Sequence, residues 1–176
     1  MYAIGIDVGG TNTKFGVANE SGEIVFQSRV KTQEYADYHE LVAAVGAALS
    51  AEFDFKNIHG IGVGAPNANY YEGTIEEAPN LPWKGTVPFA KTIEKTLGLK
   101  CVLTNDANAA ALGEMVYGHA KGMTDFIVIT LGTGLGGGVV VAGDLVYGKH
   151  GFAGELGHTL VSAHGRHCAC GKIGCL

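Results

Sequence analysis

Two carboxylates in this sequence stand where an apolar run gives way to a polar turn, which is where a bound ligand would meet them. The first is Asp7, near the end of an alternating run at residues 4–8 and followed by Gly9, Gly10, Thr11, Asn12, Thr13 and Lys14. Glycines at 9 and 10 remove the Cβ atoms that would hold a ligand off the backbone, and Thr11 and Thr13 add hydroxyl donors. Phosphate oxygens suit such a surface. Asp7 would repel a phosphate directly, so a divalent cation or its water is expected between them. This stretch alone reads equally well as an ordinary hairpin turn. The difference is that the pattern recurs: an apolar run at 126–131 leads into Gly132, Thr133, Gly134, Leu135 and Gly136, and then into a second strand. Two such hairpins facing each other could grip a polyphosphate from both sides.

The second carboxylate is Asp106, preceded by Asn105, at the junction of a buried strand and an alanine-rich helix. In a parallel sheet that junction lies on the carboxyl edge, where ligands collect. An aspartate there can accept the proton of a substrate hydroxyl while its oxygen attacks phosphorus. Aspartate is equally a good helix N-cap, and both roles can hold at once. Further on, Glu155 and His158 lie three residues apart among small residues, a pair suited to adjacent sugar hydroxyls. His158 also combines with Cys168, Cys170 and Cys175 into the one-nitrogen, three-sulfur donor set that closed tetrahedral zinc sites use. His164 and His167 are competing ligands. Zinc on one ring nitrogen of His158 would fix its tautomer and leave the other to donate to a substrate oxygen. Cys101, alone in a strand, reads as core.

The elements that must position these groups can be taken in chain order. Strands at 15–18 and 23–30 complete a three-stranded meander with the first. Asp37 with Glu40 forms a capping box for a helix whose apolar face is Leu41, Val42, Val45, Ala48, Leu49 and Phe53. Residues 58–64 read as a strand parallel to the first and buried on both faces. Residues 67–84, with three structure-breaking residues and the only tryptophan, Trp83, read as an irregular loop. A helix from Pro88 to Gly98, a strand at 99–103 and a helix from Asp106 to about Tyr117 come next. From 125 onward the opening arrangement of strand, glycine turn and strand returns as an internal repeat, with a third strand at 145–147 after a tight turn at 142–144. This puts a domain boundary between 118 and 119.

Composition excludes several classes. A net charge of −5 with no lysine or arginine cluster leaves no electrostatic footprint for nucleic acid or an anionic membrane. No apolar run approaches bilayer length, there is no basic leader, and the crowded cysteines fit a reducing compartment, so a cytoplasmic protein is expected. Gly132, Gly134 and Gly137 satisfy the dinucleotide fingerprint, but strand residues come after them where that fingerprint needs a helix. No P-loop sequence occurs.

Taken together, these residues resemble the sugar kinases of the ROK family (repressors, open reading frames and kinases), bacterial glucokinases among them. Residues 7–14 resemble the family's first phosphate loop and 131–138 its second. Residues 104–114 are similar to the block with the general base, which assigns that role to Asp106; 155–158 to the sugar-binding E-x-G-H element; and 168–175 to the zinc motif, with His158 as fourth ligand. The resemblance implies an α/β fold of the ribonuclease-H-like, actin-like and hexokinase-like class, a mixed sheet with flanking helices at 1–118 and the start of a similar lobe at 119–176. It implies ATP, magnesium and structural zinc, with glucose or another hexose such as N-acetylmannosamine, N-acetylglucosamine, mannose or fructose as substrate. Sugar contacts are implied for Asn80, Asn105, Asp106, Glu155 and His158, and nucleotide contacts for Asp7, Gly9, Gly10, Thr11, Thr13, Lys14, Gly132, Thr133, Gly134 and Gly136. Two departures stand out. Asn67 replaces the glycine usual after the proline of that loop, and the family continues past 176 with helices that close the second lobe. The expectation is therefore a truncated kinase with an uncovered apolar sheet face that favours a homo-oligomer, a dimer in the first instance. A folded, inactive fragment that binds zinc and sugar is the alternative. A sugar-responsive repressor is a further one, disfavoured because Met1 leaves no room for a DNA-binding segment.

Overall fold

The computed structural model describes residues 1–132 and 134–176. The chain forms two compact units, 1–106 and 107–176, each considered by itself. The boundary expected at 118/119 falls inside this second unit, because the helix after Asp106 packs against the next strands of the chain.

The first unit is built on a five-stranded mixed sheet. Strands β1 (Tyr2–Val8), β2 (Asn12–Asn19) and β3 (Ile24–Lys31) form the expected antiparallel meander. After helix α1 (Tyr38–Glu52), strand β4 (Ile58–Ala65) runs parallel to β1. The chain then makes three short strands, β5 (Ala68–Asn69), β6 (Thr74–Glu76) and β7 (Thr86–Val87), before helix α2 (Phe89–Leu97) and strand β8 (Cys101–Asn105), parallel to β4. The sheet order is β3-β2-β1-β4-β8.

Alternation decides which face is buried. Ile4, Ile6 and Val8 point inward with Phe15, Val17, Ile61 and Val63, and meet Leu41, Val45 and Leu49 of α1 and Phe89 and Ile93 of α2. The opposite face carries Gly5 and Gly62, side by side in register, with nothing within 4 Å of where a Cβ would stand on either. The expectation that β4 is buried on both faces is therefore corrected: His59 and Gly62 are exposed, and only the other side belongs to the core.

Local signals explain most helix ends. The Asp37 carboxylate accepts from the His39 N–H at the start of α1. Gly98 closes α2 with φ +70°, a conformation glycine adopts without strain. Residues 67–84 are more ordered than expected, since β5, β6 and β7 pair into a small antiparallel sheet. Its strands of two or three residues are too short to leave a periodic trace in sequence. β8 begins two residues later than expected.

In the second unit, helix α3 (Asp106–Val116), which belongs to this unit from Ala107 on, lies against a meander of β9 (Phe126–Leu131), β10 (Leu135–Val141) and β11 (Asp144–Leu145), ordered β11-β10-β9. This repeats the β3-β2-β1 order of the first unit. The tight turn has positive φ at both Ala142 (+53°) and Gly143 (+84°), the geometry that two-residue hairpins prefer. Gly138 lets α3 approach: a Cβ there would stand 2.6 Å from the Ala111 Cβ and 2.8 Å from the Ala107 carbonyl. Ile127, Ile129 and Leu131 are exposed, the last at 81%. Among the described residues no helix is long and apolar enough to cross a membrane.

Because Gly138 packs against helix backbone that cannot yield cheaply, Gly138→Ala is expected to cost about 1–3 kcal/mol. A lowered urea midpoint with unchanged slope is the expected readout.

Candidate functional site

The site in the first unit is set by strand direction. β1, β4 and β8 are parallel, so their carboxyl ends share one edge, with Asp7 opposite Gly64 and Gly64 opposite Thr104. Asp106 comes two positions after Thr104 and therefore arrives at the same edge. Asp7 keeps contact with solvent, but the partial desolvation of its carboxyl pushes it above its usual range; Lys14, its partner on β2, opposes that shift, and the Asp106 charge adds to it. Two carboxylates are thus within electrostatic reach of each other, with one cation beside the first. Thr104 is buried and its Oγ1 has no hydrogen-bond partner in the structure.

The loop after β1 divides its labour in a way spacing did not reveal. Thr11 is exposed, as are Asp7 and Lys14. Thr13 is not: it is fully buried, and its hydroxyl bonds that of Thr32 at 2.9 Å. The expectation that Thr13 offers a donor to a ligand is corrected, since β2 alternates and residue 13 falls on the core side. Gly9 serves the turn itself, its N–H donating to the Asn12 carbonyl at 3.1 Å. Gly10 serves a contact between loops, because a Cβ there would stand 2.9 Å from the Asn80 carbonyl oxygen. That contact brings Asn80 beside the first glycine loop. Thr32 and Gln33, which brace the loop, were missed in the sequence because neither belongs to a motif. Asn67 takes φ +50°, so it fills a left-handed position without glycine, and its amide donates to the Glu76 carbonyl at 3.0 Å.

In the second unit Gly132 and Gly134 are exposed and have open space where a Cβ would be. Thr133 lies outside the described residues. The smallness of Gly136 serves packing: a Cβ there would stand 2.5 Å from Thr130 Oγ1 and 3.0 Å from the Ala107 Cβ. Gly137 and Gly157 let the segment with Glu155 lie on β10, with the Gly154 carbonyl against Gly137. Leu156–His158 form a single 3-10 turn with Glu155 at its cap. The His158 Nε2 lies 4.0 Å from Glu155 Oε2, while its Nδ1 lies 3.6 Å from Cys168 Sγ.

His158, Cys168, Cys170 and Cys175 converge, their ligand atoms all within 4.8 Å of one another; His164 and His167 do not join them. Cys170 and Cys175 sulfurs are 3.7 Å apart. Four ligands around a tetrahedral ion at a metal–sulfur distance near 2.3 Å place sulfurs about 3.8 Å apart, so the donor set and its spacing fit a closed metal site. The Lys172 N–H holds the Cys170 thiol below its usual range, and desolvation with the adjoining sulfurs pushes Cys175 up to about 11. Cys101, expected in the core, is half-buried and packs against it, its thiol pushed up to about 12 by burial and then by Glu94.

Comparison with known proteins adds the lineage. Residues 3–176 match the model of the ROK family. A glucokinase of Streptomyces coelicolor is 39% identical over 173 residues, covering 98% of this chain and 54% of that protein. A xylose repressor of Caldicellulosiruptor bescii is 35% identical, covering 98% and 45%. Among solved structures, a ROK family glucokinase from Streptomyces griseus in complex with glucose and AMPPNP superposes with TM-score 0.84 at 38% identity, covering 99% of this chain and 55% of that one. The chain thus spans about half the length of the curated relatives it matches. The mixed sheet with flanking helices matches these structures and has the actin-like ATPase architecture.

A raised carboxyl pKa means that ionised Asp7 costs the folded state. Asp7→Asn is therefore expected to raise Tm at pH 7, with the gain vanishing below about pH 4, where Asp7 is protonated folded and unfolded alike. Melting curves of both proteins across pH 3–8 check the sign.

Proposed function

This chain belongs to the ROK family, and from that premise we propose that it carries the proton-accepting and phosphate-holding groups of an ATP-dependent hexose kinase, with glucose as acceptor at its 6-hydroxyl. The observation that supports it most is the pair of carboxylates on one sheet edge, Asp7 and Asp106, beside the glycine loop between β1 and β2. The glucose and AMPPNP of the Streptomyces griseus structure point the same way.

In this reading Asp106, at the first turn of α3, accepts the proton of the attacking hydroxyl. Asn80, Asn105, Glu155 and His158 orient the sugar. The N–H groups and hydroxyls of residues 9–12 and 132–134, with Lys14, take phosphate oxygens. Asp7 holds magnesium, directly or through water; when bound, that ion neutralises charge on the transferred phosphoryl group. His158, Cys168, Cys170 and Cys175 hold structural zinc, which orients His158 with Nε2 free to meet a sugar oxygen. A sugar-responsive regulator, the reading that the xylose repressor raises, would bind sugar without consuming ATP.

A coupled ATP-consumption assay with glucose, mannose, N-acetylglucosamine and N-acetylmannosamine separates the readings. Asp106→Asn is expected to lower turnover about 10²–10⁴-fold with sugar affinity and Tm retained. Near-normal turnover in that variant removes Asp106 from the mechanism. Elemental analysis of purified protein is expected to find about one zinc per chain, lost in Cys175→Ser; less than a tenth of an equivalent in the wild type counts against the metal.

A further inference from the structure

One residue outside every motif ties two of the proposed binding loops together. Gln33, in the 3-10 turn after β3, donates from Nε2 to the Gly10 carbonyl at 2.6 Å and to the Asn80 carbonyl at 3.1 Å. Its neighbour Thr32 reinforces the first loop, its N–H reaching the Thr11 carbonyl at 3.0 Å and its Oγ1 the Gly9 carbonyl at 2.7 Å. Tyr35, two residues on, receives the indole N–H of Trp83 at 3.0 Å, and Trp83 and Leu81 are buried beside Asn80. Residues 32–35 thus form a strap with one end on the glycine loop and the other on the loop of Asn80. The two loops also touch directly, since only a glycine at 10 leaves room for the Asn80 backbone.

We infer that Gln33 is a positioning residue that couples the phosphate loop to the sugar loop, so that a ligand at either one orders the other. The chemistry is specific to an amide. A side chain with two N–H donors can serve two carbonyl oxygens from neighbouring loops, whereas a carboxylate in the same place would face both with like partial charge. Gln33 itself is exposed and contributes nothing to the core, so its bonds are not needed to fold the sheet. A coupling of this kind is reciprocal: what tightens sugar tightens nucleotide by the same factor.

The ligand part of this inference rests on the sugar-kinase reading, so the test has one arm that needs no ligand. Amide hydrogen exchange is compared in the full chain for the wild type, Gln33→Ala and Gln33→Glu. Losing one net hydrogen bond to each loop is expected to speed exchange about 2–10-fold at residues 9–12 and at Asn80 and Leu81 together, with the core amides of α1 unchanged. Faster exchange in one loop only, or in neither, overturns the strap. In the second arm, glucose is titrated with and without magnesium AMPPNP. The wild type is expected to bind glucose more tightly with the nucleotide present, and Gln33→Ala to lose that gain while keeping glucose affinity in its absence within about twofold, since a strap that only links sites spends little on either alone. An undiminished gain in Gln33→Ala overturns the coupling. A wild type that binds neither ligand counts against the kinase reading, and the exchange arm still decides the strap.

Discussion

Parallel pairing of β1, β4 and β8 is the constraint on which the site in the first unit depends. Strands that run the same way end on the same edge, and this chain spends that edge on polar groups: Asp7 at the end of β1, and Asn105 and Asp106 where β8 hands over to α3. Desolvating Asp7 there costs the folded state, and the Asp106 charge adds to that cost, as the raised Asp7 pKa records. Lys14 offsets part of that cost from the paired strand. A carboxylate pair kept at such expense is the arrangement a metal–phosphate ligand would relieve, and this ties the stability of the edge to its proposed chemistry.

Glycine has two distinct uses in these loops. Gly132 and Gly134 border open space, as expected of residues that let a ligand approach. Gly10, Gly136, Gly137, Gly138 and Gly157 instead admit other parts of the protein: the Asn80 backbone, α3, and the segment carrying Glu155. Each glycine loop therefore has a proposed sugar-contacting segment laid against it or its strand. The repeat that drew attention in the sequence is thus a repeat of packing as much as of phosphate-binding potential.

This difference shows what the sequence could and could not disclose. Strong local signals were legible: the β1 and β9 runs, the Asp37 and Gly98 helix ends, the strand-to-helix step at Asp106 and the crowding of Cys168, Cys170 and Cys175. Side-chain direction inside the loops was less so. Thr11 and Thr13 look alike in a motif, yet strand alternation sends residue 13 into the core to meet Thr32, nineteen residues away. Gln33 was invisible for a related reason, since its partners lie 23 and 47 residues distant and are backbone carbonyls that no residue type announces. The sheet of β5, β6 and β7 escaped because its strands are shorter than one period of alternation can resolve. The metal cluster was legible because its cysteines are chemically rare and close in sequence, and the resemblance supplied His158 as fourth ligand; the fold brings those four together and leaves His164 and His167 out of the group.

The central claim is that Asp7 and Asp106 share one electrostatic field at the edge of the first sheet. Carbon-13 NMR titration of the Asp7 carboxyl, in the wild type and in Asp106→Asn, tests it most directly. The account predicts a pKa above the usual aspartate value of about 3.9 in the wild type, lower in the variant and lower again on adding magnesium AMPPNP. An Asp7 that titrates at the ordinary value, indifferent both to residue 106 and to the metal nucleotide, would contradict it.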